Sequence, residues 1–186
     1  MAAPLPKPVR MSREEYRRWA DAQPCGRFER VAGEVVAMAP ERVAHNRVKQ
    51  RVWRALDATL RAAGLPCEAL GDGITVEIGD DHDYEPDALV NCGEPLPADA
   101  VAAPNPVIVV EVLSPSTRAA DTGGKLAEYF RVPSVEHYLI LRADRPQVIH
   151  HSRRGGGIEA RVLAEGALRP GPPGIEVPVA DLYPEP

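Results

Sequence analysis

Pro86-Asp87, the apolar run Val107-Ile108-Val109-Val110-Glu111-Val112, and then Asp121 and Lys125 are the residues of this chain whose types and order could do chemistry. Carboxylates at the ends of neighbouring strands can converge on one hard cation, and Mg²⁺ prefers oxygen ligands. Such an ion activates a water and stabilises charge on a phosphate. A lysine beside it orients the water or neutralises the developing charge. Asp87, Glu111 and Lys125 therefore spell out the parts of a Mg²⁺-dependent (or Mn²⁺-dependent) phosphodiesterase. A carboxylate embedded in a buried strand is costly unless a cation or metal pairs with it, which singles out Glu111. Asp87 also reads as a turn cap after proline. Asp121 and Lys125 also read as an ordinary helical i,i+4 pair.

Regular elements must position these residues. Ser12-Arg13-Glu14-Glu15 is a capping-box pattern, so a short helix runs from Ser12 to about Asp21. Phe28–Val31 and Glu34–Ala39 form a hairpin turning at Ala32-Gly33. Val48, Val52, Leu56 and Leu60 recur at helical spacing within a long helix over Val43–Ala63, ended by Gly64 and Pro66. Strands are expected at Ile74–Ile78 and Tyr84–Asn91, with Gly79–Asp83 as a turn between them. Val107–Leu113 is apolar on both faces and should be a central strand, broken by Pro115-Ser116-Thr117. A helix over Asp121–Arg131 would place Asp121, Lys125 and Tyr129 on one face. Val135–Leu141 is another buried strand. Gln147–Ser152 and Ile158–Leu163 pair around a glycine turn. The proline-rich tail from Pro170 reads as an extended edge segment. Strands around a long and a shorter helix imply an α/β or α+β fold, a mixed sheet with helices on its faces.

The bulk numbers bound the function. A chain of 186 residues supports one domain with a real core, here residues 12–186 behind a flexible N-terminus over 1–11. The net charge of −5 is the wrong sign for a protein that coats nucleic acid. The charge is uneven, however. Between Glu41 and Arg61 six bases, Arg42 and Arg47 among them, face only Glu41 and Asp57. That stripe is either a phosphate contact or a solvated helix face. The 3 cysteines form no C-x-x-C pair, so neither a zinc site nor a disulfide framework is expected, and a reducing cytoplasm fits. The start of the chain has no signal-peptide pattern, and no apolar run approaches the roughly 20 residues of a membrane span. There is no G-x-x-x-x-G-K-[ST] phosphate loop and no G-x-S-x-G elbow, which argues against an NTPase or a serine hydrolase. His150-His151 has no nearby ligand pattern.

Phe28-Glu29-Arg30-Val31-Ala32-Gly33-Glu34, Met38-Ala39-Pro40, His45, Pro86-Asp87, Val110-Glu111-Val112-Leu113-Ser114-Pro115-Ser116, Asp121, Lys125 and Tyr129 together resemble the Uma-two family. That family is classed with restriction endonucleases in the PD-(D/E)XK nuclease superfamily. The resemblance runs from about Ser12 to Leu163. It implies a restriction-endonuclease-like mixed sheet flanked by helices, a Mg²⁺ or Mn²⁺ cofactor, DNA as substrate, and a homodimer. Asp87 takes the place of the P-D acid and Glu111 that of the (D/E). Leu113 stands where the superfamily lysine would be, and the resemblance points instead to Lys125 on the following helix. It also makes Glu34 a further metal-site acid and the Val112 carbonyl an extra ligand. His45 would contact a phosphate or a site acid, or pack as an ordinary hydrogen-bonded histidine. Asp121 and Tyr129 would support Lys125. A competing reading keeps the fold but not the chemistry: a module binding DNA or a partner protein, its acids structural.

Overall fold

The computed structural model describes residues 10–113 and 123–184. Residues 1–9, the Pro115-Ser116-Thr117 break and Asp121 lie outside the described residues. Arg10 and Met11, expected in a flexible N-terminus, are tied down. Arg10 bridges to Glu34, and the Met11 N–H donates to the Gly33 carbonyl at 2.8 Å.

Helix α1 (Arg13–Asp21) starts at a complete capping box, with Ser12 and Glu15 each accepting the other's backbone N–H. The hairpin β1 (Phe28–Val31) and β2 (Glu34–Ala37) turns at Ala32-Gly33. Helix α2 (Val43–Ala63) ends where Gly64 adopts the left-handed conformation that closes a helix. The expected strand over Tyr84–Asn91 is two strands. β5 (His82–Tyr84) pairs with β4 (Val76–Ile78) and β1, whereas β6 (Ala88–Cys92) pairs with β7 (Pro106–Leu113). Glu85-Pro86-Asp87 is the crossing between two sheets, and a proline without an N–H suits a break in pairing. β3 (Cys67–Gly71) had no sequence signal, because Cys-Glu-Ala-Leu-Gly is poor in strand formers. Pairing with β6 makes it a strand. Its Cys67 faces Cys92 in that register, and the two form a disulfide. The disulfide overturns the expectation that these cysteines stay apart, and with it the cysteine argument for a reducing compartment.

A four-stranded sheet has the order β2-β1-β5-β4. A six-stranded mixed sheet has the order β10-β9-β8-β7-β6-β3, with β8 (His137–Arg142) parallel to β7 and β9 (Val148–Arg154) and β10 (Gly157–Leu163) closing one side. Every residue of β7 is buried, as a central strand requires. Successive side chains of the large sheet face opposite ways. Val90, Ile108, Val110 and Leu139 pack with Val48, Val52, Leu56 and Leu60 of α2. Leu89, Val109, Tyr138 and Ile140 pack with Val76 and Ile78 of the small sheet and with Tyr129 of α3 (Gly124–Tyr129). Helix α3 ends two residues before the expected Arg131. The tail is not an edge of the large sheet. Its β11 (Ala167–Leu168) and β12 (Val177–Pro178) form a separate ladder, and a 3₁₀ turn follows at Val179–Leu182. Ile175, Val177, Val179 and Leu182 are buried on the α2 side, so apolar burial and not strand pairing places this segment. No helix among the described residues is long and apolar enough to cross a membrane.

The small sheet hangs on one buried ion pair. Arg30 is 1% and Asp83 2% exposed, and they meet side chain to side chain across β1 and β5. Arg13 of α1 adds a second bond to Asp83 at 2.5 Å.

His137 and His150 form a second buried pair, Nδ1 to Nε2 at 2.9 Å across β8 and β9. Burial, and then the charge of His150, pushes His137 down to about 4; burial does the same to His150. Both are neutral in the folded chain and would protonate first in the unfolded one. Stability from this pair is therefore full above the ordinary histidine value of 6.5 and is lost as pH falls from there toward about 4. Urea midpoints at pH 7 and pH 5 should differ, and His137→Phe should narrow the gap. An unchanged gap would assign the acid sensitivity to other groups.

Candidate active site

The end of the β6–β7 ladder builds the centre. Ala88 is the register partner of Val110, so one step further Asp87 stands opposite Glu111. The Asp87 N–H donates to the Val110 carbonyl at 3.0 Å, and its Oδ2 accepts from the Val112 N–H at 2.6 Å. Both acids are buried. The sheet backbone thus sets their spacing.

Helix α3 and β1 close over Glu111. The Tyr129 hydroxyl donates to Glu111 Oε1 at 2.8 Å, and Lys125 Nζ reaches the same oxygen at 3.0 Å. Lys125 also donates to Glu29 Oε1 at 3.0 Å. Tyr129 therefore braces the acid, not the lysine as expected. Glu29 is a site residue that the sequence reading missed. The expected early glutamate, Glu34, stands at the hairpin turn and pairs with Arg10 at 3.6 Å. Both glutamates lie on the same face of the hairpin, since Glu29 faces Val36 and Val31 faces Glu34 in the register. Two residues along a strand are roughly 6.6 Å, and that offset leaves Glu34 out of the cleft. The usable signal was an acid inside a strand, a weaker form of the buried-strand criterion that picked out Glu111.

Helix α2 closes the Asp87 side. His45 Nε2 lies 2.6 Å from the Val112 carbonyl and 3.4 Å from Asp87 Oδ2. Val112 is thus engaged by both its N–H and its carbonyl. Lys49 Nζ lies 3.2 Å from Asp87 Oδ1 and 2.6 Å from Asp72, and also pairs with Glu41. Lys49 is one of the six bases of that stripe, and at 4% exposed it is neither a solvated base nor a free phosphate contact. Its spacing of four residues from His45 was the available signal. Arg27 binds Asp72 and Glu85 behind them. Arg42 is exposed on the cleft wall, whereas Arg47 is exposed outside the cleft.

The cleft has a volume of about 690 Å³ and holds Glu29, Glu41, His45, Asp87, Glu111 and Lys125 among its lining. Burial pushes the Glu111 carboxyl up to about 7; Lys125 opposes this, and Asp87 and Glu29 add to it. Burial also works to raise Asp87, but the His45 hydrogen bond and charge and the Lys49 charge prevail and hold it below the usual range. Burial works to lower His45 and Lys49, yet both are raised, with Asp87 foremost among the opposing groups. The result is one ionised acid, Asp87, facing a second that holds its proton near neutrality.

Buried carboxylates in surplus are what a divalent cation neutralises. Asp87, Glu111 and the Val112 carbonyl offer the oxygen donors that Mg²⁺ and Mn²⁺ take. A second donor set, Glu41, His45 and Asp87, has ligand atoms within 4.8 Å of one another. His45 Nδ1 in that set is buried without a hydrogen-bond partner. The residues therefore fit a metal.

A mixed sheet flanked by helices, with acids from adjacent strands and a lysine from the next helix meeting in one cleft, has the architecture of a nuclease fold. A crystal structure described as a "putative nuclease" of DUF820 from Anabaena variabilis superposes with a TM-score of 0.72 at 14% identity, covering 93% of this chain and 97% of that one. At that identity the likeness is one of fold. Residues 13–180 match the Uma2 family, described as "Putative restriction endonuclease", and the chain belongs to that family. It is 30% identical to the uncharacterized protein slr1290 of Synechocystis sp. over 83% of this chain and 80% of that protein. A second Synechocystis protein, uncharacterized sll1609, is 27% identical over 73% of this chain and 77% of its own length.

Proposed function

We propose that the protein is a Mg²⁺- or Mn²⁺-dependent endonuclease that hydrolyses DNA phosphodiester bonds in the Asp87–Glu111 cleft, working as a homodimer. The observation that carries this is that buried Asp87 and Glu111 stand opposite each other across the β6–β7 ladder, with Lys125 held between Glu111 and buried Glu29. Asp87, Glu111 and the Val112 carbonyl would hold the ion, which supplies an activated water and charge stabilisation at the phosphate. Lys125, held between Glu29 and Glu111, keeps a positive charge where negative charge develops. Tyr129 fixes the orientation of Glu111. His45 and Lys49 keep Asp87 ionised and facing the cleft. Arg42 is placed to meet a backbone phosphate at the rim.

Calorimetric titration of the metal-stripped protein with Mn²⁺ and Mg²⁺ tests the reading. Wild type should bind and Asp87→Ala should not. Equal binding by both, or no binding by wild type even with DNA present, would count against it. The second reading, a DNA- or partner-binding module without catalysis, is favoured by Lys125 already pairing with Glu111 and Glu29. It predicts DNA binding that ignores divalent ions.

A further inference from the structure

Three sheet edges carry a covering group. The edge beside β2 takes the Arg10–Glu34 bridge, β4 is flanked by the Thr75–Ala102 bridge, and the Ala69 carbonyl of β3 accepts from the Trp53 indole at 3.0 Å. β10 has no such partner among the described residues, and six of its seven residues are exposed. A long strand edge left bare is a template for pairing with another chain.

The hydrogen-bond phase of that edge is fixed. Gly155 and Gly156 both have positive φ and form the two-residue turn of the β9–β10 hairpin. Such a turn is closed by a hydrogen-bonded pair, here Arg154 and Gly157. Pairs then alternate along the ladder. The Arg153 N–H accordingly points away from β10 and donates to Glu136 at 2.9 Å. The backbone N–H and C=O of Ile158, Ala160 and Val162 therefore point out of the sheet.

We propose that this edge pairs, antiparallel about Ala160, with the same strand of a second copy of the chain. The surface deepens the homodimer reading given above and rests on it. Ile158 would face Val162 of the second copy, Ala160 would face Ala160, and these pairs exchange the outward hydrogen bonds. Ile158 is 46% and Val162 64% exposed, on one face of the strand, so the apolar side chains meet each other. On the opposite face Glu159 would stand across from Arg161 of the second copy, and Arg161 across from its Glu159. In the single chain these two share a face, 3.8 Å apart, with side chains 56% and 76% exposed. Charge selects the register. The neighbouring registers with the same hydrogen-bond phase set Glu159 against Glu159, or Arg161 against Arg161, and like charges directly opposed destabilise a strand pair. Only pairing about Ala160 matches every charge with its opposite. The two large sheets would then run on as one.

Sedimentation velocity of the full chain over a range of concentrations tests this. Wild type should be a dimer. Ala160→Pro removes an outward N–H and leaves the β9–β10 bonds intact, so it should give a monomer with an unchanged circular dichroism spectrum. Glu159→Arg should weaken the dimer about tenfold, and adding Arg161→Glu should restore it. A monomeric wild type overturns the surface and the homodimer reading together. A dimer that ignores the charge swap and the proline overturns this surface alone.

Discussion

Glu111→Gln should lose at least about a thousandfold in divalent-ion-dependent nicking of plasmid DNA, equivalent to about 4 kcal/mol of transition-state stabilisation. The substitution keeps the side chain's size and its place beside Tyr129 and Lys125, so the loss would report charge and not shape. Glu29→Gln should follow it, since Glu29 shares Lys125 with Glu111. Glu34→Gln is the control. It alters only an exposed pair with Arg10 and should cleave like wild type. Retention of a tenth of the activity by Glu111→Gln would remove it from the mechanism. Equal losses at Glu29 and Glu34 would reverse the assignment made from the hairpin register.

Asp83→Ala should destabilise the fold by about 3–5 kcal/mol, because it leaves the Arg30 guanidinium buried with only carbonyl partners. Those partners are Met11 at 3.1 Å and Asp80 at 3.0 Å. In a chain of this size the melting temperature should drop on the order of 10 °C. Asp57→Ala breaks an ion pair of similar length with Arg61, but that arginine's side chain is 78% exposed and screened by water, so the melting temperature should barely move. Thermal denaturation of the two variants side by side distinguishes buried from exposed charge. Comparable melting temperatures would show that the Arg30–Asp83 pair does not hold the small sheet.

Much of the fold was legible because local signals and tertiary burial agree. The Ser12 box, the Ala32-Gly33 turn and the Val43–Ala63 periodicity each named an element that the structure contains. Glu111 could be picked out because a charge inside an apolar run has to be explained, and Asp87 because it follows a proline at the end of a strand. Glu29 and Lys49 carried weaker signals, an acid inside a short strand and a base four residues after His45, and neither signal gives the distance to a strand far along the chain that makes them site residues. The periodicity that puts Glu29 on the right face puts Glu34 there too, and only position along the strand separates them. Strand β3 was hidden for a related reason. Its residues have little preference for extended backbone, and their conformation comes from the neighbour they pair with. The break after Tyr84 was also not readable, because Tyr84 to Asn91 is equally good as one strand or as two belonging to different sheets.

The Cys67–Cys92 bond does more than staple an edge strand. Between these cysteines the chain leaves the large sheet, forms β4 and β5 in the small one, and returns through Glu85-Pro86-Asp87. The whole excursion is a covalent loop with its neck at β3 and β6. It carries Asp72, Asp83 and Asp87, while Glu111 and Lys125 lie beyond it. If the small sheet came apart, Asp87 would still be tethered within a few residues of its place beside β7. Glu29, which enters from outside the loop, would have no such leash. Partial unfolding should therefore strip the centre of one acid while leaving the other at hand, so that function fades before the large sheet melts and returns without a search through the whole chain.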